Sequence, residues 1–199
     1  MNHWGLARGY RYAGIHCGLR PDPNRRDLVL IVSDTPAAAA GVFTQNRVVA
    51  APVLVCRERV PGDGLRGVVI CSGNANACTG DQGLADARRM AALAAAGVGC
   101  RPEQMLVAST GVIGRPLPME LIEGGIGRIF AELRPDGYGL DTAAHAVTAF
   151  FDTEEAAEHA RRVAFFGNAI PAEIPLVRRE RGRCSRLMSH HSGFDNNST

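Results

Sequence analysis

The sequence predicts an α/β fold, and three observations support this. Hydrophobic residues make up 46% of the 199-residue chain, which is enough to bury a sizeable core. Residues 27–71 form short apolar or β-branched runs separated by Pro, Gly and Asp, a pattern typical of strands. Longer stretches with apolar residues at helical spacing follow, so we expect helices packed on a sheet.

The strands are predicted first along the chain. Four apolar runs, residues 28–32, 40–44, 52–56 and 67–71, have the length and composition of short strands. A fifth strand is expected at residues 105–108, ending in a turn at residues 109–114. The regular spacing of these runs favours one sheet.

The helices are predicted from their ends and their periodicity. Thr79 and Gln82 have the spacing of a capping box before an Ala- and Leu-rich helix over residues 83–96, which Gly97 should end. Pro118 fits the first position of a second helix, which the sequence around residues 134–137 breaks. Residues 142–149 predict a third helix, and residues 154–163 are helix-prone. The apolar positions that recur at helical spacing in the second helix are Met119, Ile122, Ile126, Ile129, Phe130 and Leu133.

The character of the chain changes after Gly167. Two prolines interrupt residues 170–176, and residues 178–199 are polar, basic and aperiodic. We therefore predict a folded domain over residues 1–167 and a divergent, disordered tail over residues 168–199.

Composition excludes several classes of function. The net charge is +2, and the last 22 residues hold five Arg against Glu180 and Asp195, so the body is near neutral and a nucleic-acid partner is not expected. The longest apolar runs fall far short of the ~20 residues that span a bilayer, and no secretory signal opens the chain, so we expect a cytoplasmic protein without a membrane partner. The cysteines form no cluster with zinc-ligand spacing, so no metal site is expected.

Three blocks of short side chains and glycines stand out, at residues 33–44, 72–77 and 109–111. This composition allows a substrate to approach backbone N–H groups. Each block taken singly is equally consistent with an ordinary tight turn, because Gly, Asn and Ser favour turns for conformational reasons alone.

Taken together and in order, the blocks resemble the ornithine acetyltransferase (glutamate N-acetyltransferase, ArgJ) family. The resemblance rests on Ser72-Gly73-Asn74-Ala75-Asn76-Ala77 and on Ser109-Thr110-Gly111-Val112-Ile113-Gly114, continues through residues 46–53 and 111–119, and spans roughly residues 8–147. The family usually has Asn just before the first motif, where this chain has Cys71. The resemblance implies the α-chain part of an α/β sandwich of mixed β-sheet and helices, of the DmpA/ArgJ-like type and incomplete in this chain.

The resemblance also implies a chemistry. Members of the family cut themselves before a threonine, and the new N-terminal Thr of the β chain takes acetyl from N-acetylornithine and passes it to glutamate in arginine biosynthesis. Some members use acetyl-CoA as a donor substrate, and no other cofactor is implied. Residues Thr110, through its hydroxyl, and Gly111, through its backbone N–H, correspond to the family's oxyanion hole. Mature α and β chains assemble as α2β2.

The later part of the chain departs from the family. Residues 150–155 stand where the family has a Thr-Thr-Asp-Thr-x-Pro-Lys segment, so only Asp152 and Thr153 correspond, and Thr153 is the candidate substrate-binding residue. The chain contains no Lys, and Thr199 is its last residue, so the family's Lys-Gly-x-Gly-Met-Ile block and nucleophilic Thr have no counterpart. We therefore expect a truncated α-like chain, inactive alone, whose reading frame departs from the family near Ala149 or by Gly167.

Two alternatives stay open. A self-processing amidohydrolase or aminopeptidase of the same superfamily would use the same motif to hydrolyse an amide. A diverged, non-catalytic scaffold would keep the motif without the chemistry.

Overall fold

The computed structural model describes residues 7–147, 150–151, 177–180 and 183–186. Its strands are β1 (Tyr10–Ile15), β2 (Leu28–Ala39), β3 (Gly62–Asn74), β4 (Met105–Val112), β5 (Phe150–Phe151), β6 (Val177–Glu180) and β7 (Arg183–Arg186). Its helices are α1 (Ala51–Arg57), α2 (Gly80–Val98), α3 (Met119–Ile129) and α4 (Gly137–Val147), with single 3₁₀ turns at Pro102–Gln104 and Phe130–Glu132.

The first four strands form a mixed sheet in the order β1-β2-β3-β4. The strands β1, β2 and β3 pair antiparallel, whereas β3 and β4 pair parallel and are connected in sequence through the helix α2. Helices α2 and α3 cover one face of the sheet with α1, and α4 packs on β1 and β2 from the other face. This arrangement confirms the predicted α/β class.

Both faces of the sheet are buried, which explains the continuous apolar runs. In β2, Leu28, Leu30 and Val32 enter the core under α2 and α3, and Val29 enters the smaller core under α4. Strands buried on both faces have apolar residues at every position instead of alternating ones. The predicted strands at residues 28–32, 67–71 and 105–108 are therefore confirmed.

Two predicted strands are wrong. Residues 52–56 lie in the helix α1, whose second residue is Pro52 and whose apolar residues are buried except for Leu54. Residues 40–44 have no regular structure, because the pairing of β2 with β3 becomes irregular after Val32 and ends at Ala39. Val42 in this loop is 92% exposed. An apolar run of five residues does not by itself distinguish a strand, a buried helical turn and a loop.

The predicted helices are found with shifted ends. The helix α2 continues through Gly97 to Val98 and ends at Gly99, which has a left-handed φ of 76°. Thr79 precedes α2 without capping it, because its hydroxyl donates to the side chain of Asn76 instead. The capping box was thus the wrong interpretation of Thr79, although the helix it announced is present.

The helix α3 starts after Pro118, and its residues Ile122, Ile126 and Ile129 are buried as the periodicity predicted. The helix α4 covers most of the predicted third helix. The helix-prone residues 154–163 lie outside the described residues. Of the tail at residues 168–199, the structure describes β6 and β7, which pair antiparallel, and the rest of the predicted tail lies outside the described residues.

Candidate functional site

Two of the three sequence blocks meet at one end of the sheet. Because β3 and β4 run parallel, their last residues lie side by side, and Ser72 pairs with Thr110 while Gly73 pairs with Gly111. The first block does not join them. Its residue Ser33 lies at the opposite end of β3, where Arg66 donates to its carbonyl oxygen at 3.0 Å. The candidate site is therefore built from β3 and β4.

The contact between the two strand ends requires glycine. Gly111 has a φ of 132°, and a Cβ on it would lie 2.3 Å from the carbonyl carbon of Gly73 and 2.7 Å from the backbone nitrogen of Asn74. Gly73 also has a positive φ, 142°. A side chain at position 111 would push the strands apart. Glycine at this position allows the backbones of β3 and β4 to be in direct contact.

The structure places Thr110 and Gly111 at an accessible strand end. The predicted strand at residues 105–108 extends through both residues to Val112, so residues 109–112 of the predicted turn belong to β4, and the chain bends only from residue 113. Gly111 is exposed and Thr110 is half-buried. The Thr110 hydroxyl forms no hydrogen bond with any group in the described part of the chain. It lies on the same face of the sheet as Ser72, since the two are paired in register.

The two asparagines of the first motif hold the loop after β3. Asn74 accepts the backbone N–H of Asn76 through its Oδ1 at 2.8 Å and donates through its Nδ2 to the carbonyls of Arg115 and Pro116. Two further backbone bonds, from Ala75 to Val112 and from Gly114 to Ala77, join the same two loops. These contacts fix the chain on both sides of Gly111.

Asn76 is completely buried, and its contacts link three elements. Its Nδ2 donates to the carbonyl of Gly83 in α2, its Oδ1 accepts from Thr79, and its backbone carbonyl accepts the N–H of Ala51 at the start of α1. Both polar atoms of its side chain are therefore hydrogen-bonded within the protein. The conspicuous asparagines of this motif build the frame of the site and do not face a ligand.

Ser109 and Cys71 lie behind the strand end. Both are completely buried, and the Sγ of Cys71 lies 3.1 Å from the Oγ of Ser109. Burial raises the pKa of the Cys71 thiol to about 11, against an opposing effect of the hydrogen bond to Ser109. A buried thiol that stays protonated at neutral pH is not a nucleophile. Within the Ser-Thr-Gly motif, Thr110 and Gly111 are thus the accessible members.

Arg20 is a site residue that sequence reasoning missed. Its guanidinium donates to Ser72 twice, from Nη2 to the Oγ at 2.6 Å and from Nε to the carbonyl at 3.2 Å. Asp27, which is completely buried, accepts the backbone N–H groups of Cys17 and Arg20 on its two carboxylate oxygens. The sequence held a signal only for Asp27, because a carboxylate directly before the apolar run of β2 must find partners if it is buried, and this signal did not single out the side chain of Arg20.

Thr153, the candidate substrate-binding residue, lies outside the described residues, as does Asp152. The described residues include no group of three or more His, Cys, Asp or Glu side chains that could hold a metal ion. No helix in the same part of the chain is long and apolar enough to cross a membrane.

Comparison with known proteins gives one consistent result. A sequence model of the ArgJ family matches residues 11–169. The chain is 51% identical over 126 residues to the arginine biosynthesis bifunctional protein ArgJ of Geobacter sulfurreducens, a match that covers 63% of this chain and 32% of that protein. It is 46% identical over 155 residues to the protein of the same name from Thermosynechococcus vestitus, covering 74% of this chain and 36% of that one. The chain spans about a third of the length of the curated relatives it matches.

Solved structures agree with the sequence matches. The ArgJ protein of Bacillus halodurans superposes with a TM-score of 0.67 at 37% identity, covering 74% of this chain and 75% of that chain. The ornithine acetyltransferase of Mycobacterium tuberculosis, crystallised in complex with ornithine, superposes with a TM-score of 0.69 at 37% identity, covering 74% and 78%.

Proposed function

The chain belongs to the ArgJ family, and on that premise we propose that it supplies the oxyanion-binding half of an acetyltransferase site for arginine biosynthesis. The observation that carries the proposal is the contact between Gly73 and Gly111. It brings Thr110, whose hydroxyl is uncommitted among the described residues, and the exposed backbone of Gly111 to one accessible strand end.

The proposed reaction moves acetyl from N-acetylornithine to glutamate. A nucleophilic hydroxyl attacks the acetyl carbonyl, the carbonyl oxygen becomes an oxyanion, and the intermediate collapses to an acetyl ester as the ornithine amine leaves. The amine of glutamate then attacks this ester through a second oxyanion, the ester C–O bond breaks to restore the nucleophilic hydroxyl, and N-acetylglutamate leaves. Acetyl-CoA is an alternative donor of the same acetyl group.

Both half-reactions need donors that are in place before the charge develops. In the proposal, Thr110 donates through its hydroxyl and Gly111 through its backbone N–H. One such donor lowers the activation barrier by about 3–4 kcal/mol, because it acts in a site from which water is largely excluded. The bonds that fix the loops around Gly111 support such an arrangement, since they limit reorganisation of the strand end.

The nucleophile is proposed to come from a second chain and not from the strand end described above. At this strand end Ser72 is bonded to Arg20, and Ser109 and Cys71 are completely buried, so none of them is poised to attack. An N-terminal Thr of a β chain, produced by autocatalytic cleavage, would supply a hydroxyl with its own amine as the base. We propose such a β chain as the partner of this protein, in an α2β2 assembly in the cytoplasm. Thr153 is proposed as a further contact to substrate.

A graft tests the proposal, because the relative from Geobacter sulfurreducens offers a complete framework. Residues 10–147 of this chain replace the corresponding segment of that protein, and the purified chimera is assayed for acetyl transfer from N-acetylornithine to glutamate. We expect transfer, and we expect Thr110→Ala to lower kcat by about 10²- to 10³-fold. The exposed Thr35 in β2 gives the matched control, and Thr35→Ala should leave the rate unchanged.

The same assay separates the alternatives. Release of acetate without transfer to glutamate would favour an amidohydrolase. A chimera that folds and assembles but does neither reaction would favour a non-catalytic scaffold. Full activity of Thr110→Ala would contradict the assigned role of Thr110.

A further inference from the structure

Arg20 stands beside the proposed oxyanion donors without belonging to either sequence motif. Its guanidinium is bonded to Ser72, and Ser72 pairs with Thr110 on the same face of the sheet. Neighbouring strands lie about 4.8 Å apart, so the guanidinium of Arg20 binds the strand next to the one that carries Thr110.

The backbone around Arg20 is held independently of its side chain. Asp27 accepts the N–H of Arg20 at 2.9 Å and that of Cys17 at 2.6 Å, and the backbone carbonyl of Asp27 accepts the N–H of Ser72 at 2.8 Å. One buried carboxylate therefore fixes the loop that carries Arg20 and the strand that Arg20 binds. The guanidinium is delivered to this place by the fold and is not a mobile surface group.

The guanidinium retains donors for a ligand. An arginine has five N–H groups in a planar fork, and Ser72 receives one from Nε and one from Nη2. The remaining N–H groups donate to nothing within the described residues. Arg20 as a whole is half-buried.

An anion bound to Arg20 would offset the cost of holding its positive charge in this place. Burial lowers the pKa of its guanidinium, and the positive charge of Arg25 acts in the same direction, whereas Asp27 opposes both. The carboxylate of Asp27 is bonded to two backbone N–H groups and does not form a fork with the guanidinium. A half-buried guanidinium with free donors binds a carboxylate in a bidentate geometry.

We infer that Arg20 binds the α-carboxylate shared by N-acetylornithine and glutamate. This inference rests on the proposed function. The two substrates differ in their side chains but both carry a carboxylate on the carbon next to the reacting nitrogen, only three bonds from the acetyl carbonyl carbon. Arg20, bound to the strand next to the oxyanion donors, could hold the carboxylate at about the distance that these three bonds span. A single residue would thus position both the acetyl donor and the acetyl acceptor.

A pair of ligands isolates this contact. N-acetylputrescine is N-acetyl-L-ornithine without its α-carboxylate, so binding of the two compounds to the full chain is compared by calorimetry. We expect Arg20→Gln to weaken N-acetylornithine binding by about 10- to 100-fold, as for loss of hydrogen bonds to a charged group, and N-acetylputrescine binding by less than about threefold. Arg20→Lys, which keeps the charge without the planar fork, should fall between wild type and Arg20→Gln.

Arg88→Gln is the control for charge. It removes an exposed positive charge of α2 that is paired with Glu58 and should change both affinities by less than about threefold, because exposed surface charges are screened. The variants should fold, since the backbone N–H of Arg20 that binds Asp27 is unchanged. Their thermal unfolding midpoints check this directly.

Each outcome decides the inference. Equal weakening of both ligands by Arg20→Gln, or no weakening of either, overturns the carboxylate contact while leaving the proposed function in place. Absence of binding of both ligands to the wild-type chain overturns the inference, while the proposed function is decided separately by acetyl transfer in the chimera. In the chimera, Arg20→Gln should raise KM for N-acetylornithine and for glutamate by similar factors, whereas a purely structural role would lower the amount of folded enzyme at unchanged KM.

Discussion

Replacing Gly111 with alanine should destabilise the chain by about 2–6 kcal/mol, the sum of two costs. Holding a residue other than glycine at a φ of 132° costs about 1–3 kcal/mol. The new Cβ would lie 2.3 Å from the carbonyl carbon of Gly73, whereas carbon atoms pack at about 3.5 Å, so β3 and β4 must separate by about 1 Å. Relief of such overpacking costs a further ~1–3 kcal/mol, because the obstructing atoms are backbone and cannot rotate away.

Two other glycines provide matched controls. Gly114 has a positive φ of 73° but nothing within 4 Å of its Cβ position, so Gly114→Ala should cost only ~1–2 kcal/mol. Gly124 in α3 has open space and a helical backbone, so Gly124→Ala should stabilise the chain by up to ~1 kcal/mol. The series separates the cost of a positive φ from the cost of the clash.

Urea unfolding followed by far-UV circular dichroism measures these differences as free energies of unfolding. The expected order of stability is Gly124→Ala, wild type, Gly114→Ala and then Gly111→Ala. If Gly111→Ala is no less stable than Gly114→Ala, the two strand ends are not in backbone contact, and the geometry assigned to the site is wrong.

Three further results are expected from the buried polar groups. Asn76→Ala should cost ~2–4 kcal/mol, because it removes the hydrogen bonds of the completely buried Asn76 to the carbonyl of Gly83 and the hydroxyl of Thr79, while the exposed Asn46→Ala should cost less than ~1 kcal/mol; equal losses would contradict the framing role of Asn76. In native protein, iodoacetamide should label the exposed Cys78 rapidly and Cys71 only after unfolding, as mass spectrometry can show, and native labelling of Cys71 at pH 8 would refute its burial. Burial raises the pKa of Cys17 to about 12, so unfolded thiols ionise first as the pH rises above 9, and stability should fall between pH 9 and 12; an unchanged urea midpoint between pH 8 and 10.5 would disagree.

The parts of the fold that the sequence predicts correctly are those where one pattern has one structural meaning. The five-residue apolar runs of β2 and β3 are bounded by Asp27 and by Gly67, and they occur as predicted. The run at residues 52–56 is also apolar but begins with Pro52, and it lies in the helix α1, whose first residue donates its N–H to the carbonyl of Asn76. Proline fits the start of a helix and cannot donate to a sheet, so Pro52 was the local signal that the apolar pattern alone did not contain.

The candidate site divides in the same way. The motifs that hold Thr110 and Gly111 are contiguous in sequence, so their resemblance to the ArgJ family indicated both residues. Arg20 contacts Ser72 across a separation of 52 residues, and no motif joins them. The sequence also suggested Asn74 and Asn76 as parts of a ligand-facing block, whereas the structure uses their side chains for the frame.

The parallel pairing of β3 with β4 determines when this strand end can form during folding. The strands β1, β2 and β3 are antiparallel neighbours in sequence order and can pair progressively, whereas β4 reaches β3 only by a crossover through α2. Cys71 and Ser109 are 38 residues apart, so the loop-closure entropy between them must be overcome before their pairing contributes stability. Docking of α2 is therefore expected to precede assembly of the strand end, and a mutation that slows that docking would delay the site without altering any residue in it.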